Sequence, residues 1–417
     1  MIQLIKGFKD ILPDEIGLWQ EIEATARTMF EDFGYREIRL PIVEKSELFA
    51  RSIGDTTDIV EKEMYTFDDG RRGLVTLRPE ATASVVRSYI QHKMFAEEPV
   101  RKFYTIGPMF RRERPQKGRY RQFYQIDAEV FGISSPLIDA QIIFMLVSLF
   151  ERLEVKDVSA HINCLGCPTC RPDFQKALYT LLEAKKGELC ENCVRRSEKN
   201  PLRTLDCKVP TCREALAEAP SILDYLCSDC RNHFDTVKQN LDKQNVHYEI
   251  DRHLVRGLDY YTRTAFEILT NSLGAQNAVA GGGRYDGLVE ALGGPPQPAI
   301  GFAIGFDRLA EILSQTRLAA IKRPKIYMVP LGEACKTMAF EWVCALNLSG
   351  VPTEMDFEDR NLKNHMKRAD KLHAGYALIL GENELINGHA VLRNMETREQ
   401  KDIPIVNLVP HIINLIR

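Results

Sequence analysis

The sequence predicts an α+β protein of two or three domains, with a helical cysteine-rich insertion and a C-terminal α/β unit. Three observations carry that expectation. Residues 103–132, FYTIGPMFRRERPQKGRYRQFYQIDAEVFG, place six basic residues (Arg111, Arg112, Arg114, Lys117, Arg119, Arg121) in an eleven-residue window between strand-like apolar and aromatic runs. Nine of the eleven cysteines fall between Cys164 and Cys230. From residue 325 to the C-terminus, strand and helix patterns alternate, the layout of a mixed sheet under helical cover.

Length and composition set the limits. A chain of 417 residues exceeds one ordinary core, which is why several domains are expected. Hydrophobic content of 44% and charged content of 27% describe a globular protein, and no run approaches the roughly 18 apolar residues of a membrane span. The opening MIQLIKGFKDILPDE is charged within its first ten residues and has no small-residue cleavage pattern, so it reads as mature sequence rather than a leader. Net charge is −3, so any nucleic-acid contact must use local basic patches.

The elements follow in order. Residues 18–33 carry apolar groups at helical spacing and stop at Gly34, a C-terminal cap. Residues 35–43 read as a strand interrupted by Pro41, 74–77 as a short strand and 82–92 as a helix. The hairpin follows over 103–130, its strands anchored in a core and its tip cationic. An apolar helix spans 137–153, and the cysteine-rich stretch is mostly helical and polar. Strand character returns at 248–249 and 264–269, and a strand-like run meets a helix start across 299–309. Residues 320–324 form a linker. Beyond it come a strand at 326–329, helices at 334–350 and 361–375, strands at 377–380 and 389–394, and a helix at 405–416.

Four separated segments carry residues that can meet in one pocket. In Thr76-Leu77-Arg78-Pro79-Glu80-Ala81-Thr82, Glu80 and Thr82 can accept hydrogen bonds from an ammonium group; equally, Thr82 can simply cap the following helix. In the hairpin, a cationic tip between buried strands suits a polyanion, and the guanidinium of Arg111 can reach a buried phosphate. Phe123 offers a flat face for a base, and Glu113 sits where it can orient the arginines. The third segment, LVRGLDYYT over 254–262, is either a ligand-facing arginine followed by tyrosines or an ordinary strand entry. If it is extended, Tyr260 and Tyr261 face opposite sides and only one lines the pocket. The fourth is GFAIGFDRL over 301–309, where Gly301 and Gly305 permit close approach and Arg308 lies near a helix start. Gly281, Gly282 and Gly283 with Arg284 fit neither a Walker loop nor a dinucleotide fingerprint.

The cysteines have metal-knuckle spacing. Cys167 and Cys170, Cys190 and Cys193, and Cys227 and Cys230 are CxxC pairs, while Cys207 and Cys212 form a looser fourth. Two knuckles make a closed tetrahedral thiolate site, so eight thiolates can hold two zinc ions, with Cys164 left over. Buried free thiols are the alternative. Without a secretory leader, clustered thiols point to a reducing compartment and metal rather than disulfides.

Arg111 with Phe123, and Gly305 with Arg308, resemble motifs 2 and 3 of class II aminoacyl-tRNA synthetases, and GYREIRLP over 34–41 resembles motif 1. LVRGLDYYTRT, AGGGRYDG and the opening KGFKDILP are similar to segments particular to the histidyl-tRNA synthetase family. The resemblance spans nearly the whole chain; Asp307 departs from the glutamate more usual there. It implies an antiparallel-sheet catalytic domain over 1–163 and 236–320, a cysteine-rich insertion domain over 164–235 and an anticodon-binding domain over 325–417. It also implies ligation of L-histidine to its tRNA through a histidyl-adenylate, with ATP and Mg2+, in a cytoplasmic homodimer. By the same resemblance Arg111 and Arg256 grip the α-phosphate, Arg308 the γ-phosphate, and Glu113 and Phe123 complete the ATP site. Glu80, Thr82 and Gln125 face the histidine ammonium, Glu129 and Tyr261 the ring nitrogens, and Tyr285 closes the pocket. Arg114 and Gln116 would contact the tRNA acceptor end, which the insertion helps clasp. Arg360, Lys363, Lys367, Arg368 and Lys371 are either an RNA-facing stripe or a solvated helix face.

Two rival readings remain. A histidine-binding regulatory subunit of ATP phosphoribosyltransferase shares the expected fold but lacks the C-terminal domain and loses signature residues, whereas this chain has the basic hairpin, Arg256, the tyrosines and an α/β stretch after Pro324, which favour the synthetase. A zinc-finger-like nucleic-acid binder explains only the cysteine-rich stretch.

Overall fold

The computed structural model describes residues 1–54, 57–116, 118–270, 278–316 and 323–416. Lys117 of the hairpin and residues 320–322 of the expected linker lie outside them. Contacts divide the chain into two units, Met1–Ala319 and Ala320–Arg417.

The first unit is built on an eight-stranded sheet. Its strand order is Arg36–Glu37, Arg101–Phe110, Gln122–Phe131, Ala299–Gly305, Ala278–Arg284, Thr262–Thr270, Val158–Cys164 and Tyr248–Ile250. Pairing is antiparallel throughout the middle and parallel at the two edge pairs. The two-residue period of the strands separates the faces. Ile126, Ala128 and Val130 join Phe266, Ile268, Ile300, Phe302 and Ile304 in the main core, against Trp19, Ile22 and Phe30 of helix Pro13–Asp32 and Ile142, Leu146 and Phe150 of helix Pro136–Arg152. Their alternates Gln125, Asp127 and Glu129 lie on the other face.

A buried charge network fastens this layer. The Arg284 and Asp139 side chains are both fully buried, and Arg284 Nε donates to the two Asp139 carboxylate oxygens at 2.9 and 3.0 Å. Arg284 Nη2 donates to the carbonyl oxygens of Ile133 and Ser135, and Nη1 to Asp286. His233 Nε2, on helix Ser228–Lys243, lies 2.8 Å from Asp139 Oδ2. One arginine thereby joins a central strand to a core helix and, through Asp139, to the last helix of the cysteine-rich stretch. Removing one partner of such a pair costs about 3–5 kcal/mol.

Most expected elements are present, and the differences have physical causes. The strand expected over 35–43 divides: Arg36–Glu37 joins the large sheet, while Val43–Lys45 opens a separate three-stranded sheet with Leu74–Leu77 and Tyr65–Asp68. Residues 158–164 and 278–284, which show no strand signal in the sequence, are strands paired on both sides. Cross-strand hydrogen bonds there outweigh the poor strand propensity of three consecutive glycines.

The second unit is a five-stranded sheet in the order Thr353–Met355, Ile326–Pro330, Tyr376–Leu380, His389–Asn394, Gln400–Pro404, parallel over the first three strands and antiparallel over the rest. The short strands Thr353–Met355 and Gln400–Pro404 were not expected, and the last helix starts only at Leu408 because Gln400–Pro404 pairs with its neighbour. Helix Leu362–Lys371 buries His365 and Ala369 and exposes Lys363, Lys367 and Lys371. Arg360 and Arg368 instead pair with Asp356.

Candidate active site

The apolar face of the sheet packs on helices, so its opposite face is free to carry polar groups, and there the neighbouring strands supply almost no side chains. Gly305, Ala303 and Gly301 lie opposite Gln125, Asp127 and Glu129, and Gly283 and Gly281 lie opposite Gly301 and Ala303. The absence of side chains is a steric requirement. A Cβ at Gly281 would stand 2.5 Å from Arg256 Nη1, and one at Gly301 would collide with the Glu129 carboxylate.

An acidic pocket occupies one part of this floor. Glu80, Asp127 and Glu129 are all at least 96% buried, with exposures of 4%, 1% and 1%. Thr82 Oγ1 donates to Glu129 Oε1 at 2.6 Å and the Tyr285 hydroxyl donates to Oε2. Burial pushes the Glu129 carboxyl up to about 8, with Glu80 adding to the rise against those two hydrogen bonds. Burial, then Glu129 and Glu80, hold Asp127 well above the usual carboxylate range. Glu80 is likewise raised by burial. Its Oε1 accepts from Ala83 N at 2.9 Å, so Glu80, not Thr82, caps helix Thr82–Gln91 and the Thr82 hydroxyl turns to the pocket.

A cationic group lies beside it. Arg111 donates through Nε to the Pro79 carbonyl oxygen at 2.9 Å, and its guanidinium sits 5.2 Å from the centre of the Phe123 ring. Glu113 lies between Arg111 and Arg119, 3.7 and 3.3 Å from their guanidinium nitrogens. Arg308 donates to the carbonyl oxygens of Gly118 and Ala278 at 3.2 and 2.6 Å, joining the hairpin tip to a central strand. Arg256 forms an ion pair with Glu267 and lies 5.7 Å from the Tyr261 ring. Arg114 and Gln116 are exposed at the tip, where Gln116 and Arg119 close a tight turn. Gln125 Oε1, Asp127 Oδ2 and Arg256 Nε, all on this face, are buried without a hydrogen-bond partner among the described residues.

The structure decides one open alternative here and adds three residues. Tyr260 and Tyr261 do not face opposite ways: 252–261 is a turn, not an extended strand, and the two rings lie 4.6 Å apart, with Tyr260 also 5.6 Å from Tyr285. Tyr260, Asp127 and Glu267 are the additions. The last two had a sequence signal: Asp127 shares the alternate face of its strand with Glu129, and Glu267 is the one carboxylate of its strand. Asp307, the departure from the usual glutamate, accepts from Tyr124 N at 2.6 Å.

The eight paired cysteines form two foursomes, Cys167, Cys170, Cys227 and Cys230, and Cys190, Cys193, Cys207 and Cys212, the sulfurs of each within 4.8 Å of one another. Tetrahedral zinc with bonds of about 2.3 Å sets its sulfurs about 3.8 Å apart. The Sγ separations of 3.6 Å (Cys167–Cys170), 3.9 Å (Cys167–Cys227) and 3.9 Å (Cys190–Cys207) fit that geometry. Backbone N–H groups of Cys190 and Cys227 donate to Cys212 Sγ and Cys170 Sγ. Cys164 stands outside both foursomes, next to Cys230.

The fold agrees with what comparison finds. The histidyl-tRNA synthetase family profile matches residues 7–309 and the anticodon binding domain profile matches 325–415. A histidine–tRNA ligase from Desulfatibacillum aliphaticivorans is 59% identical over 416 residues, covering 100% of this chain and 99% of its own length. One from Geobacter sulfurreducens is 53% identical, covering 97% and 98%. The structure of an S. aureus histidyl-tRNA synthetase superposes with a TM-score of 0.83 at 35% identity, over 99% of each chain. The chain belongs to the histidyl-tRNA synthetase family.

The buried Glu129 carries a pH signature. The folded chain holds its proton up to about 8, against an ordinary value of 4.5. Between those values the unfolded state binds fewer protons, so this group's contribution to stability falls as pH rises. Glu129→Gln is therefore expected to gain stability relative to the parent as pH rises from about 5 to about 8. Paired thermal melts across that range, with a constant difference as the contrary result, check it.

Proposed function

We infer that the chain ligates L-histidine to its tRNA in two steps, releasing pyrophosphate and then AMP. The observation that carries this reading is the pairing of a buried acidic pocket with three arginines, Arg111, Arg256 and Arg308, on one glycine-floored sheet face. A histidine zwitterion placed there directs its ammonium to Glu80, Thr82 and Gln125 and its ring to Glu129, Tyr261 and Tyr285. Its carboxylate then points toward the arginines. A carboxylate oxygen attacks the α-phosphorus of ATP in line and the bond to pyrophosphate breaks. Arg111 and Arg256 stabilise the charge that builds on the equatorial oxygens, Arg308 holds the γ-phosphate and Phe123 stacks on adenine; magnesium would supply further charge neutralisation for the triphosphate. A hydroxyl of the terminal tRNA ribose then attacks the histidyl carbonyl, AMP leaves, and Arg114 and Gln116 hold the acceptor end.

The regulatory-subunit reading has a structural counterpart. A Bacillus halodurans structure titled as an ATP phosphoribosyltransferase regulatory subunit/histidyl-tRNA synthetase superposes with a TM-score of 0.64 at 18% identity, a likeness of fold alone. The intact arginine set and the anticodon-binding unit favour the ligase.

Histidine-dependent exchange of labelled pyrophosphate into ATP, without tRNA, tests the reading. Exchange with histidine alone among amino acids is expected, and Arg256→Ala should lower kcat by about 10²–10³-fold. No exchange by a folded, histidine-binding chain would reject it.

Each cysteine foursome is read as a structural zinc site, supported by its sulfur spacing. Metal analysis should return about two zinc ions per chain, and Cys193→Ser about one; a metal-free folded parent overturns this.

A cytoplasmic homodimer completes the reading. Exposed Ile42, Val43, Phe67 and Leu74 on and beside the three-stranded sheet support the dimer, and the thiolate clusters support a reducing compartment. Sedimentation should give twice the 47.6 kDa chain mass; a monomer at micromolar concentration would exclude the dimer.

A further inference from the structure

The turn that carries Arg256 and Tyr261 has little regular structure of its own, yet both must be placed within a fraction of an ångström to act on one ligand. Its support comes largely from the two cysteine modules, from opposite ends.

The second module, closed by Cys190, Cys193, Cys207 and Cys212, grips the first half. Asn200 Nδ2 donates to Asp259 Oδ1 at 2.8 Å, and Arg203 Nη1 donates to the Gly257 carbonyl oxygen at 2.6 Å and lies 3.7 Å from Asp259 Oδ1. Leu202 and Leu205 pack with Val255, Leu258, Tyr260 and Tyr261. These four gripping residues occupy a single 3-10 turn and its flanks, and Cys207 N donates to the Thr204 carbonyl oxygen at 3.1 Å. The clip thus runs straight into a thiolate.

The first module, closed by Cys167, Cys170, Cys227 and Cys230, grips the second half. Arg171, next to Cys170, donates to the Tyr261 carbonyl oxygen. The Gly166 carbonyl oxygen, next to Cys167, accepts from Thr262 Oγ1 and Arg263 N, both at 2.9 Å, and Leu165 N donates to the Arg263 carbonyl oxygen at 2.6 Å.

We propose that the two thiolate modules are positioning devices for residues 254–263, so that metal binding is coupled to histidine activation itself, independently of tRNA. Asn200, Arg203 and Arg171 are positioning residues: each holds the backbone or the carboxylate of the turn, and none is required to touch substrate. A turn released from either end lets Arg256 and Tyr261 drift, and misplacement by about 1 Å costs on the order of 10²-fold in rate. The inference rests on the ligase reading above, and the histidine-binding measurement separates the two.

The test uses the full chain, measuring histidine-dependent pyrophosphate exchange without tRNA, histidine affinity by calorimetry, zinc content and melting temperature. Arg203→Ala and Asn200→Ala are expected to lower kcat/KM for histidine by about 10–100-fold and to weaken histidine binding, with two zinc ions and the parental melting temperature retained. Arg203→Lys should recover part of the loss, and Lys176→Ala, exposed on the first module, should match the parent. Cys212→Ser should lose one zinc and show the same defect. Parental exchange and affinity in Arg203→Ala and Asn200→Ala would overturn the proposal, as would undiminished affinity in a zinc-depleted Cys212→Ser. A parent that binds histidine but does not exchange falls against the ligase reading; the variants' affinities then decide this one.

Discussion

A sheet that keeps an apolar core on one face and several charged groups on the other depends on what its neighbouring strands leave out. Glu129 occupies the space a side chain at Gly301 would fill, Arg256 the space above Gly281, and Arg78 the space above Gly107. The same register that puts Gln125, Asp127 and Glu129 over the floor puts Ile126, Ala128 and Val130 against the core helices. A slip of one residue would exchange the two sets and bury three polar side chains in the hydrocarbon layer. Packing behind the sheet therefore fixes the site in front of it, and the buried Arg284–Asp139 pair locks a core helix onto that sheet.

On this floor, charge is sorted rather than balanced. The acids lie together and raise one another's proton affinity, while the arginines are held by carbonyl oxygens, Glu113 and Glu267. Clustered buried carboxylates are costly when ionised, and clustered arginines repel. Each cluster offers a surface for a ligand of opposite sign. A zwitterion beside a triphosphate meets both needs in one orientation, which is why the sorting bears on mechanism and not only on stability.

The hairpin, the main helices and the C-terminal unit were legible in the sequence because each advertises its own period. The glycine run at 281–283 was not, since its strand exists only through pairing with both neighbours. The geometry of Tyr260 and Tyr261 stayed open because alternation holds only in an extended chain, and Gly257 and Asp259 belong to a turn held from outside. Glu267 escaped notice because its importance lies in a partner eleven residues earlier in sequence. Cysteine spacing identified the thiol pairs. It left open which pairs share a foursome, a matter of tertiary contact: Cys167 and Cys170 meet Cys227 and Cys230 across the whole insertion.

That long reach has a topological reason. Val158–Cys164 and Tyr248–Ile250 pair in parallel at the sheet edge, and parallel neighbours require a crossover rather than a tight turn. The cysteine-rich helices are that crossover. Its last helix, Ser228–Lys243, packs Phe234, Val237 and Leu241 into the main core, while the cluster around the second foursome is little more than its cysteines and Leu189. A crosslink that closes such a segment removes unfolded-state entropy where a core is thin. A metal bound by the Cys167–Cys230 foursome would close the crossover at its two ends, and one bound by the Cys190–Cys212 foursome would close its middle. A loop that connects two edge strands would then be held at the points from which it contacts the turn that carries Arg256.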